Sequence, residues 1–164
     1  MKTHEEYMEL ALEEARKAEE IDEVPVGCVI VCGGEVISRG HNLKEQLNQA
    51  YAHAEMMAIQ KAAEVKGNWC LNDCDLYVTL EPCMMCTGII NLSRIRTVYY
   101  GTTDPKGGCL ETVIDLKKIN RLNHYPNVVG NILQKECGEI LTNYFRKKRE
   151  IIKEKKQKNK ANIQ

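Results

Sequence analysis

Three potential metal ligands, His53, Cys83 and Cys86, place the strongest constraint on the fold, because they come from the starts of two separate helical segments. His53 opens the first segment, and the two cysteines lie three residues apart in the first turn of the second. One predicted strand, residues 76–80, separates the two helices. Helices that begin one helix–strand unit apart can start at the same edge of a sheet, so we expect an α/β fold that brings the three side chains together.

The rest of the chain alternates between strand and helix patterns. Thr3 and Glu6 form a capping box ahead of an amphipathic helix, and Gly33 and Gly34 predict a tight hairpin turn between two strands. The predicted elements are helix 4–20, strands 26–31 and 35–39, helix 51–65, strand 76–80, a helix opened by Pro82, strand 97–100, a short helix at 112–118, an extended stretch at 127–129 and a helix from about 132. This order predicts one sheet with helices on both faces.

The chemistry of the ligand set indicates zinc with a catalytic role. Two thiolates and one imidazole are typical zinc ligands, and a helix N-terminus favours the thiolate form. Three protein ligands leave the fourth tetrahedral position for water, and no fourth ligand, which a structural site would use, lies in register. Glu55 follows His53 by two residues and can reach that water without binding the metal. The alternatives are a structural zinc site or a chance spacing of four common residues.

His53-Ala54-Glu55 and Pro82-Cys83-Met84-Met85-Cys86 match H-x-E…P-C-x-x-C, the zinc deaminase signature. Over residues 5–150 the chain also resembles the bacterial tRNA-specific adenosine deaminases, through residues 23–27, 53–55, 80–86, 104–108, 123–124 and 136–137. The resemblance implies a cytidine deaminase-like three-layer α/β/α sandwich with a central mixed five-stranded sheet, formed by a deaminase domain at residues 1–150. It also implies one Zn²⁺ per subunit, a homodimer, and conversion of adenosine to inosine at the wobble position of a tRNA anticodon stem-loop.

The resemblance further implies a role for each site residue. His53, Cys83 and Cys86 hold the zinc, whose activated water attacks C6 of adenine. Glu55 is the catalytic residue, which protonates N1 and carries the proton to the departing ammonia. The implied substrate-binding residues are Asn42 on the flipped nucleoside, Val24 and Leu80 as apolar walls of the base pocket, and Asp104, Lys106, Phe145 and Arg149 on the RNA loop.

Two apolar features have more than one interpretation. Phe145 and Arg149 lie four residues apart on the last helix, where an exposed aromatic beside cations suits base stacking and phosphate contact. The alternative is a core-facing phenylalanine with solvated charges around it. The helix that follows Pro82 carries an apolar face, which indicates either core packing or the subunit interface that the family makes with this helix; its residues are Met84, Met85, Ile89 and Ile90.

The other cysteines and histidines are expected to be structural. Four cysteines are predicted to be buried small hydrophobes: Cys28, Cys32, Cys109 and Cys137. Cys70 and Cys74 lie four residues apart around a turn and leave a second metal site open as an alternative. We expect the remaining histidines to be ordinary polar residues and not ligands; they are His4, His41 and His124.

The net charge of zero hides an uneven distribution. Residues 1–23 carry a net charge of −6, and residues 146–160 carry +7 from nine bases and two acids. Neutrality therefore does not exclude an RNA substrate. Residues 151–164 are expected to form a basic, disordered tail, with non-specific attraction to RNA as the alternative. The acidic first segment is unlike a secretory or mitochondrial leader, and no apolar run is long enough to cross a membrane, so we expect a cytoplasmic protein with no membrane partner.

Two other functions compete with tRNA deamination. A free-base or nucleoside deaminase, acting on guanine or cytosine, would use the same zinc chemistry but would have no use for a basic C-terminal helix. A non-catalytic, zinc-bound RNA-binding subunit would usually lack the carboxylate, and Glu55 is present. The sequence therefore favours the RNA deaminase.

Overall fold

A mixed five-stranded sheet runs through the centre of the protein in the order β2-β1-β3-β4-β5. The computed structural model describes residues 1–163. The strand β1 pairs antiparallel with both β2 and β3, whereas β3, β4 and β5 are parallel to one another. The strands are β1 (Gly27–Cys32), β2 (Glu35–His41), β3 (Cys74–Leu80), β4 (Thr97–Thr102) and β5 (Asn127–Val129). The predicted mixed sheet is confirmed.

Helices cover both faces of this sheet, which confirms the predicted three-layer sandwich. The helices are α1 (His4–Glu20), α2 (Lys44–Leu47), α3 (Ala54–Lys66), α4 (Met84–Leu92) and α5 (Gln134–Ile163). One core forms between the sheet and α3 with α4, and a second forms between the sheet and α1 with α5. The β1 strand is apolar throughout because both of its faces are buried: Cys28 and Ile30 join the first core, and Val29 and Val31 join the second.

The local signals at the N-terminus act as the sequence predicts. Thr3 caps α1, with its side chain accepting a hydrogen bond from the Glu6 amide while the Glu6 carboxylate accepts one from the Thr3 amide. Gly33 and Gly34 take φ values of 59° and 84° in the hairpin turn, a conformation that glycine adopts without strain. The first helix and the hairpin are therefore confirmed.

Several element boundaries differ from the prediction by one or more residues, and three of the differences have a clear local cause. His53 is the extended N-cap residue of α3, so that helix begins at Ala54 and not at residue 51. Pro82 precedes the N-cap residue Cys83 and does not occupy the first helical position. The helix predicted at 112–118 is reduced to a 3₁₀ turn at Leu116–Lys118, because the segment before it folds as a loop around a buried carboxylate.

The last helix continues through residues 151–163 of the segment 151–164, for which disorder was predicted; residue 164 lies outside the described residues. Residues 151–163 are helical and exposed along their whole length. No glycine or proline follows Gly138, and lysine, glutamate and glutamine all have good helix propensity. The helix therefore extends beyond its contacts with the sheet. The boundary of the deaminase domain at residue 150 stays a prediction. None of the helices within residues 1–163 is both long and apolar enough to cross a membrane.

Candidate active site

Two helix N-termini bring His53, Cys83 and Cys86 together. His53 is the N-cap residue of α3 and Cys83 that of α4, and Cys86 lies in the first turn of α4. The His53 Nδ1 atom is 3.6 Å from the Cys83 Sγ atom and 3.7 Å from the Cys86 Sγ atom. Tetrahedral zinc, with bonds of about 2.3 Å to sulfur and about 2.1 Å to nitrogen, separates the two kinds of ligand atom by about 3.6 Å. The donor set and its spacing therefore fit a zinc ion.

The electrostatics of this group favour a thiolate at Cys83. A hydrogen bond from the Cys86 thiol, together with the contact to His53, lowers the pKa of Cys83 to about 4 although burial opposes this. The same hydrogen bond raises the pKa of Cys86, because Cys86 is the proton donor to the Cys83 sulfur. The hydrogen bond to Cys83 also raises the pKa of His53. These contacts favour the thiolate form of Cys83, which is the form that binds zinc.

Glu55 lies next to the ligand group in the first turn of α3 and is only 4% exposed. Burial raises the pKa of its carboxyl group. The ligand group contains His53, Cys83 and Cys86 but not Glu55. A buried carboxylate with a raised pKa, beside a metal site that it does not complete, suits a role in proton transfer.

A cavity of about 710 Å³ opens onto this group and collects most of the predicted substrate-binding residues. Its volume falls within the range of about 300–1,000 Å³ that is usual for small-molecule sites. Asn42 also contributes to the cavity wall, and its Oδ1 atom accepts a hydrogen bond of 2.9 Å from the Ala54 amide at the start of α3. The predicted site residues that line the cavity are Val24, Asn42, His53, Glu55, Leu80, Cys83, Asp104 and Phe145.

The structure places Lys106 and Arg149 differently, since neither lines the cavity. Both are exposed, Lys106 on the loop that follows Asp104 and Arg149 one turn of α5 beyond Phe145. Phe145 is 44% exposed, whereas the neighbouring Tyr144 is buried. The interpretation of Phe145 as a core-facing residue is therefore wrong, and an exposed aromatic ring stands at the cavity wall.

Glu81 holds the loop that carries Asp104 and is a residue whose role sequence reasoning missed. It is only 1% exposed, and its carboxylate accepts hydrogen bonds from the amides of Asp104, Leu110, Glu111 and Thr112 and from the Thr112 hydroxyl. Burial raises its pKa, but these hydrogen bonds outweigh burial and lower the pKa overall. A Cβ atom at Gly108 would lie 2.4 Å from this carboxylate, so only glycine fits there.

The residue that follows α1 and the middle of α5 meet at the cavity wall. The side chains that join them are a second group that the sequence analysis did not predict. Lys148 donates a hydrogen bond of 2.7 Å to the Asp22 carboxylate, and the Tyr144 hydroxyl donates one of 3.2 Å to the same side chain. These hydrogen bonds lower the pKa of Asp22 even though its surface is open to solvent. Asp22, Tyr144 and Lys148 all line the cavity. The contact fixes where α5, and with it Phe145, passes the active site.

The remaining cysteines and histidines lie outside the ligand group. Cys28, Cys109 and Cys137 are buried as predicted, but Cys32 is only partly buried. The second candidate group combines Cys74 with Cys32 and Asp73, and not with Cys70. The three other histidines have hydrogen-bond partners inside the protein: His4 with Tyr77, His41 with Glu14 and His124 with the Ile95 carbonyl.

Comparisons with known proteins agree with this site. Residues 1–102 match the profile of the cytidine and deoxycytidylate deaminase zinc-binding region. The chain is 49% identical over 150 residues to the tRNA-specific adenosine deaminase of Bacillus subtilis, covering 92% of this chain and 91% of the relative. The enzyme of the same name from Agrobacterium fabrum is 47% identical over 148 residues, covering 90% of this chain and 96% of the relative.

A solved structure is similar over most of the fold. It comes from work on A-to-I editing by tRNA:A34 deaminases at the wobble position of transfer RNA. It is 47% identical in sequence, with a TM-score of 0.81, and the match covers 83% of this chain and 99% of that one.

Proposed function

This chain belongs to the tRNA-specific adenosine deaminases, and on that premise we propose that it hydrolyses adenosine to inosine at the wobble position of a tRNA anticodon. One observation carries the proposal: a buried carboxylate, Glu55, lies beside a His/Cys/Cys group with zinc-ligand spacing, at a cavity wide enough for a nucleobase. The proposal is tested by incubating an anticodon stem-loop with the enzyme and measuring inosine at the wobble position.

The residues of the site account for each step of the hydrolysis. His53, Cys83 and Cys86 would hold one zinc ion, which when bound lowers the pKa of a water ligand from 15.7 to about 7 and so provides a nucleophile at neutral pH. The water oxygen bonds to C6 of adenine, and Glu55 takes up the proton that the water loses. Glu55 would deliver this proton to N1. It would then take the proton of the new hydroxyl group on C6 and pass it to the amino group, so that the C6 carbonyl forms, the C6–N bond breaks and ammonia departs.

The base pocket would hold an adenine that has been flipped out of the RNA loop. Val24 and Leu80 are partly buried and pack against the main core, which makes them rigid apolar walls for the ring. Asn42 uses its Oδ1 atom to cap α3, so its amide nitrogen is the group left to donate a hydrogen bond to the nucleoside. Phe145 at the cavity wall offers a ring on which a neighbouring base can stack.

Asn42→Asp should separate the two uses of this side chain. Aspartate keeps an oxygen that can accept the Ala54 amide, but it has no amide N–H to donate and it brings a negative charge toward the substrate. We expect a folded protein with an unchanged Tm and a kcat/KM for the stem-loop that is lower by about 10-fold or more, which corresponds to the loss of a hydrogen bond of about 1.4 kcal/mol. Steady-state kinetics and thermal unfolding measure the two effects. An unchanged kcat/KM would remove Asn42 from substrate binding.

The exposed C-terminal part of α5 would contact the phosphates of the RNA. The helix passes the cavity at Tyr144, Phe145 and Lys148 and then extends past it. The lysine side chains on its later turns would therefore lie beside any RNA bound at the cavity. Lysines on these turns carry no ion pair within residues 1–163 apart from Lys148 with Asp22. The five later lysines are Lys153, Lys155, Lys156, Lys158 and Lys160. Asp104, Lys106 and Arg149 would contact the loop itself.

Replacing those five lysines by glutamine should weaken stem-loop binding and flatten its dependence on salt. Each phosphate contact contributes about 0.7–0.9 to the slope of log K against log salt, so a loss of one to three contacts is measurable. Filter binding or fluorescence anisotropy over a salt series provides the slopes. The double variant E150Q/E154Q removes charge of the opposite sign from the same helix and should bind at least as tightly as the wild type. An unchanged slope in the lysine variant would show that this segment is a solvated helix that makes no phosphate contacts.

We propose that the enzyme is a homodimer that associates through α4. Met84 and Leu92 are exposed on this helix and border an apolar groove of about 370 Å³, whose other wall includes Ile119 and Leu122. The groove is thus lined mainly by apolar side chains of α4 and of the segment that follows β4. Because α4 contains Cys86 and begins directly after Cys83, this association would place each active site near the partner subunit.

Leu92→Asp should convert the dimer to a monomer. Leu92 is 66% exposed on α4, so the charged side chain is tolerated by the isolated chain but not by an apolar interface. Sedimentation equilibrium at micromolar concentration should report twice the chain mass of 18.7 kDa for the wild type and the chain mass for the variant. The matched control is Val65→Asp, at a residue 65% exposed on α3, which should stay dimeric. A dimeric Leu92→Asp protein would exclude this face.

Since its substrate is a transfer RNA, we infer that the enzyme acts in the cytoplasm.

A further inference from the structure

Two thiols face each other across the antiparallel strands β1 and β3, far from the zinc ligands. Cys32 and Cys74 are directly opposed residues at the last pair of this ladder. Opposed residues have Cβ atoms about 4.5–5.5 Å apart, close to the spacing of about 3.5–4.5 Å in a disulfide. The two Sγ atoms and an Asp73 carboxylate oxygen all lie within 4.8 Å of one another. A small movement of the strand ends would therefore bring the sulfurs into bonding distance.

Asp73 and Lys66 hold the two thiols in place. The Cys32 thiol donates to the Asp73 Oδ2 atom at 3.3 Å, and the Cys74 thiol donates to the Oδ1 atom of the same carboxylate at 3.5 Å. The Lys66 ammonium group lies 3.6 Å from the Cys32 Sγ atom and 2.5 Å from the Asp73 Oδ2 atom. One carboxylate therefore bridges both sulfurs, and the Lys66 ammonium group lies beside the Cys32 sulfur.

The two cysteines differ in access to solvent. Cys32 is partly exposed at the border of a surface cavity of about 460 Å³, whereas Cys74 is fully buried. A small oxidant from solvent therefore reaches Cys32 first, and Cys74 is the second thiol, positioned to react with the oxidised Cys32. This pairing of an accessible thiol with a nearby resolving thiol is typical of redox-sensitive sites.

We propose that Cys32 and Cys74 form a disulfide in response to hydrogen peroxide. The Cys32 sulfur attacks one peroxide oxygen, the O–O bond breaks, and Cys32 sulfenic acid and water form. The Cys74 sulfur then attacks the Cys32 sulfur, the S–O bond breaks, and a second water leaves with the proton of the Cys74 thiol. Two thiols are oxidised to one disulfide, and one peroxide is reduced to two waters.

Metal binding is the competing use of the same cluster, and the charges oppose it. A cation bound by Cys32, Asp73 and Cys74 would have to displace the Lys66 ammonium group from the Asp73 carboxylate. The thiol pair therefore suits oxidation better than metal binding.

The disulfide would clamp β1 to β3 without reaching the active site. Cys74 begins β3, and the zinc ligand Cys83 follows the other end of that strand, about 20 Å away at about 3.3 Å per residue. A crosslink between residues 32 and 74 also restricts the unfolded chain, so the oxidised protein should have a higher Tm than the reduced protein.

Peptide mass spectrometry of the zinc-loaded full chain tests the proposal. After brief treatment with hydrogen peroxide and alkylation of free thiols, we expect a peptide pair linked through Cys32 and Cys74, and a Tm above that of the sample reduced with dithiothreitol. Cys32→Ser should abolish both changes. Cys74→Ser should instead leave a Cys32 sulfenic acid that dimedone traps. The matched control is Cys70→Ser, which removes a partly buried thiol from the neighbouring loop and should leave the crosslink intact.

Three results would overturn the proposal. The first is full alkylation of both thiols after peroxide treatment, and the second is a crosslink from Cys74 to Cys70. The third is a second equivalent of zinc that binds the wild type but not Cys32→Ser, which would make the cluster a metal site. A Cys32–Cys74 crosslink without a rise in Tm would disprove the clamp.

Discussion

Glu55→Ala is expected to lower turnover of the stem-loop by about 10²–10⁴-fold, the range usual for loss of a positioned proton carrier. The buried carboxylate lies beside the ligand group but is not part of it, so the zinc content should stay at one ion per chain. Single-turnover kinetics and metal analysis of the same preparation separate the two effects. We expect the chemical step to slow while the affinity for the stem-loop changes little, because the role proposed for Glu55 is to move protons and not to hold the RNA.

A second glutamate on the same helix controls for general damage to α3. Glu64 is exposed on the side of α3 away from the cavity, so Glu64→Ala should keep both wild-type turnover and zinc. Turnover of Glu55→Ala within a few-fold of the wild type would remove Glu55 from proton transfer. A loss of zinc from the same variant would instead show that Glu55 supports the ligand group.

Cys83→Ser should remove zinc from the protein and reduce activity by more than about 10³-fold, because the activated water is lost with the metal. Serine has nearly the same shape as cysteine and is a good N-cap residue, so α4 keeps its start at this position. The variant therefore removes a thiolate and little else. Zinc content by metal analysis, together with turnover of the stem-loop, measures the two losses.

The same chemical change at a neighbouring thiol provides the control for Cys83→Ser. Cys109 is buried near Cys83 but does not belong to the ligand group, so Cys109→Ser should keep one zinc ion and most of the activity. Retention of one zinc ion by both variants would contradict the assignment of Cys83 as a ligand. Loss of zinc from both would indicate that any polar residue in this region disrupts the site.

The ligand group could be predicted because local sequence determines its geometry. Two cysteines three residues apart at a helix start point the same way, and a helix–strand unit returns the chain to the same sheet edge. His53 and Cys83 do become the N-cap residues of successive helices. The sandwich followed from the same alternation of patterns, since β1 is apolar on both faces and helices flank it on both sides.

The residues that complete the cavity were harder to predict because their partners are distant in sequence. Glu81 accepts hydrogen bonds from amides 23–31 residues away, on a loop that has no hydrophobic periodicity. Tyr144 and Phe145 are adjacent aromatic residues on one helix, and periodicity alone does not decide which of them faces the core. The orientation of the helix is fixed by the contact of Tyr144 and Lys148 with Asp22, which lies more than 120 residues earlier in the chain.

The final turns of α5 show the limit of compositional reasoning. A charged, lysine-rich segment cannot bury apolar surface, and that property is shared by a disordered tail and by an exposed helix. Helix propensity distinguishes an exposed helix from a disordered tail only when the preceding helix is taken into account, because that helix supplies the nucleus from which the segment propagates. Residues 151–163 continue such a helix and need no new nucleus.

Deamination of an anticodon stem-loop compared with free bases tests the central claim most directly. The wild-type, zinc-loaded enzyme should convert the wobble adenosine of the stem-loop to inosine, detected by sequencing, and leave other adenosines of the same RNA unchanged. Free guanine and cytosine at the same concentration should release no ammonia above background. Release of ammonia from either free base, with the stem-loop left intact, would contradict the assignment and make the protein a free-base deaminase.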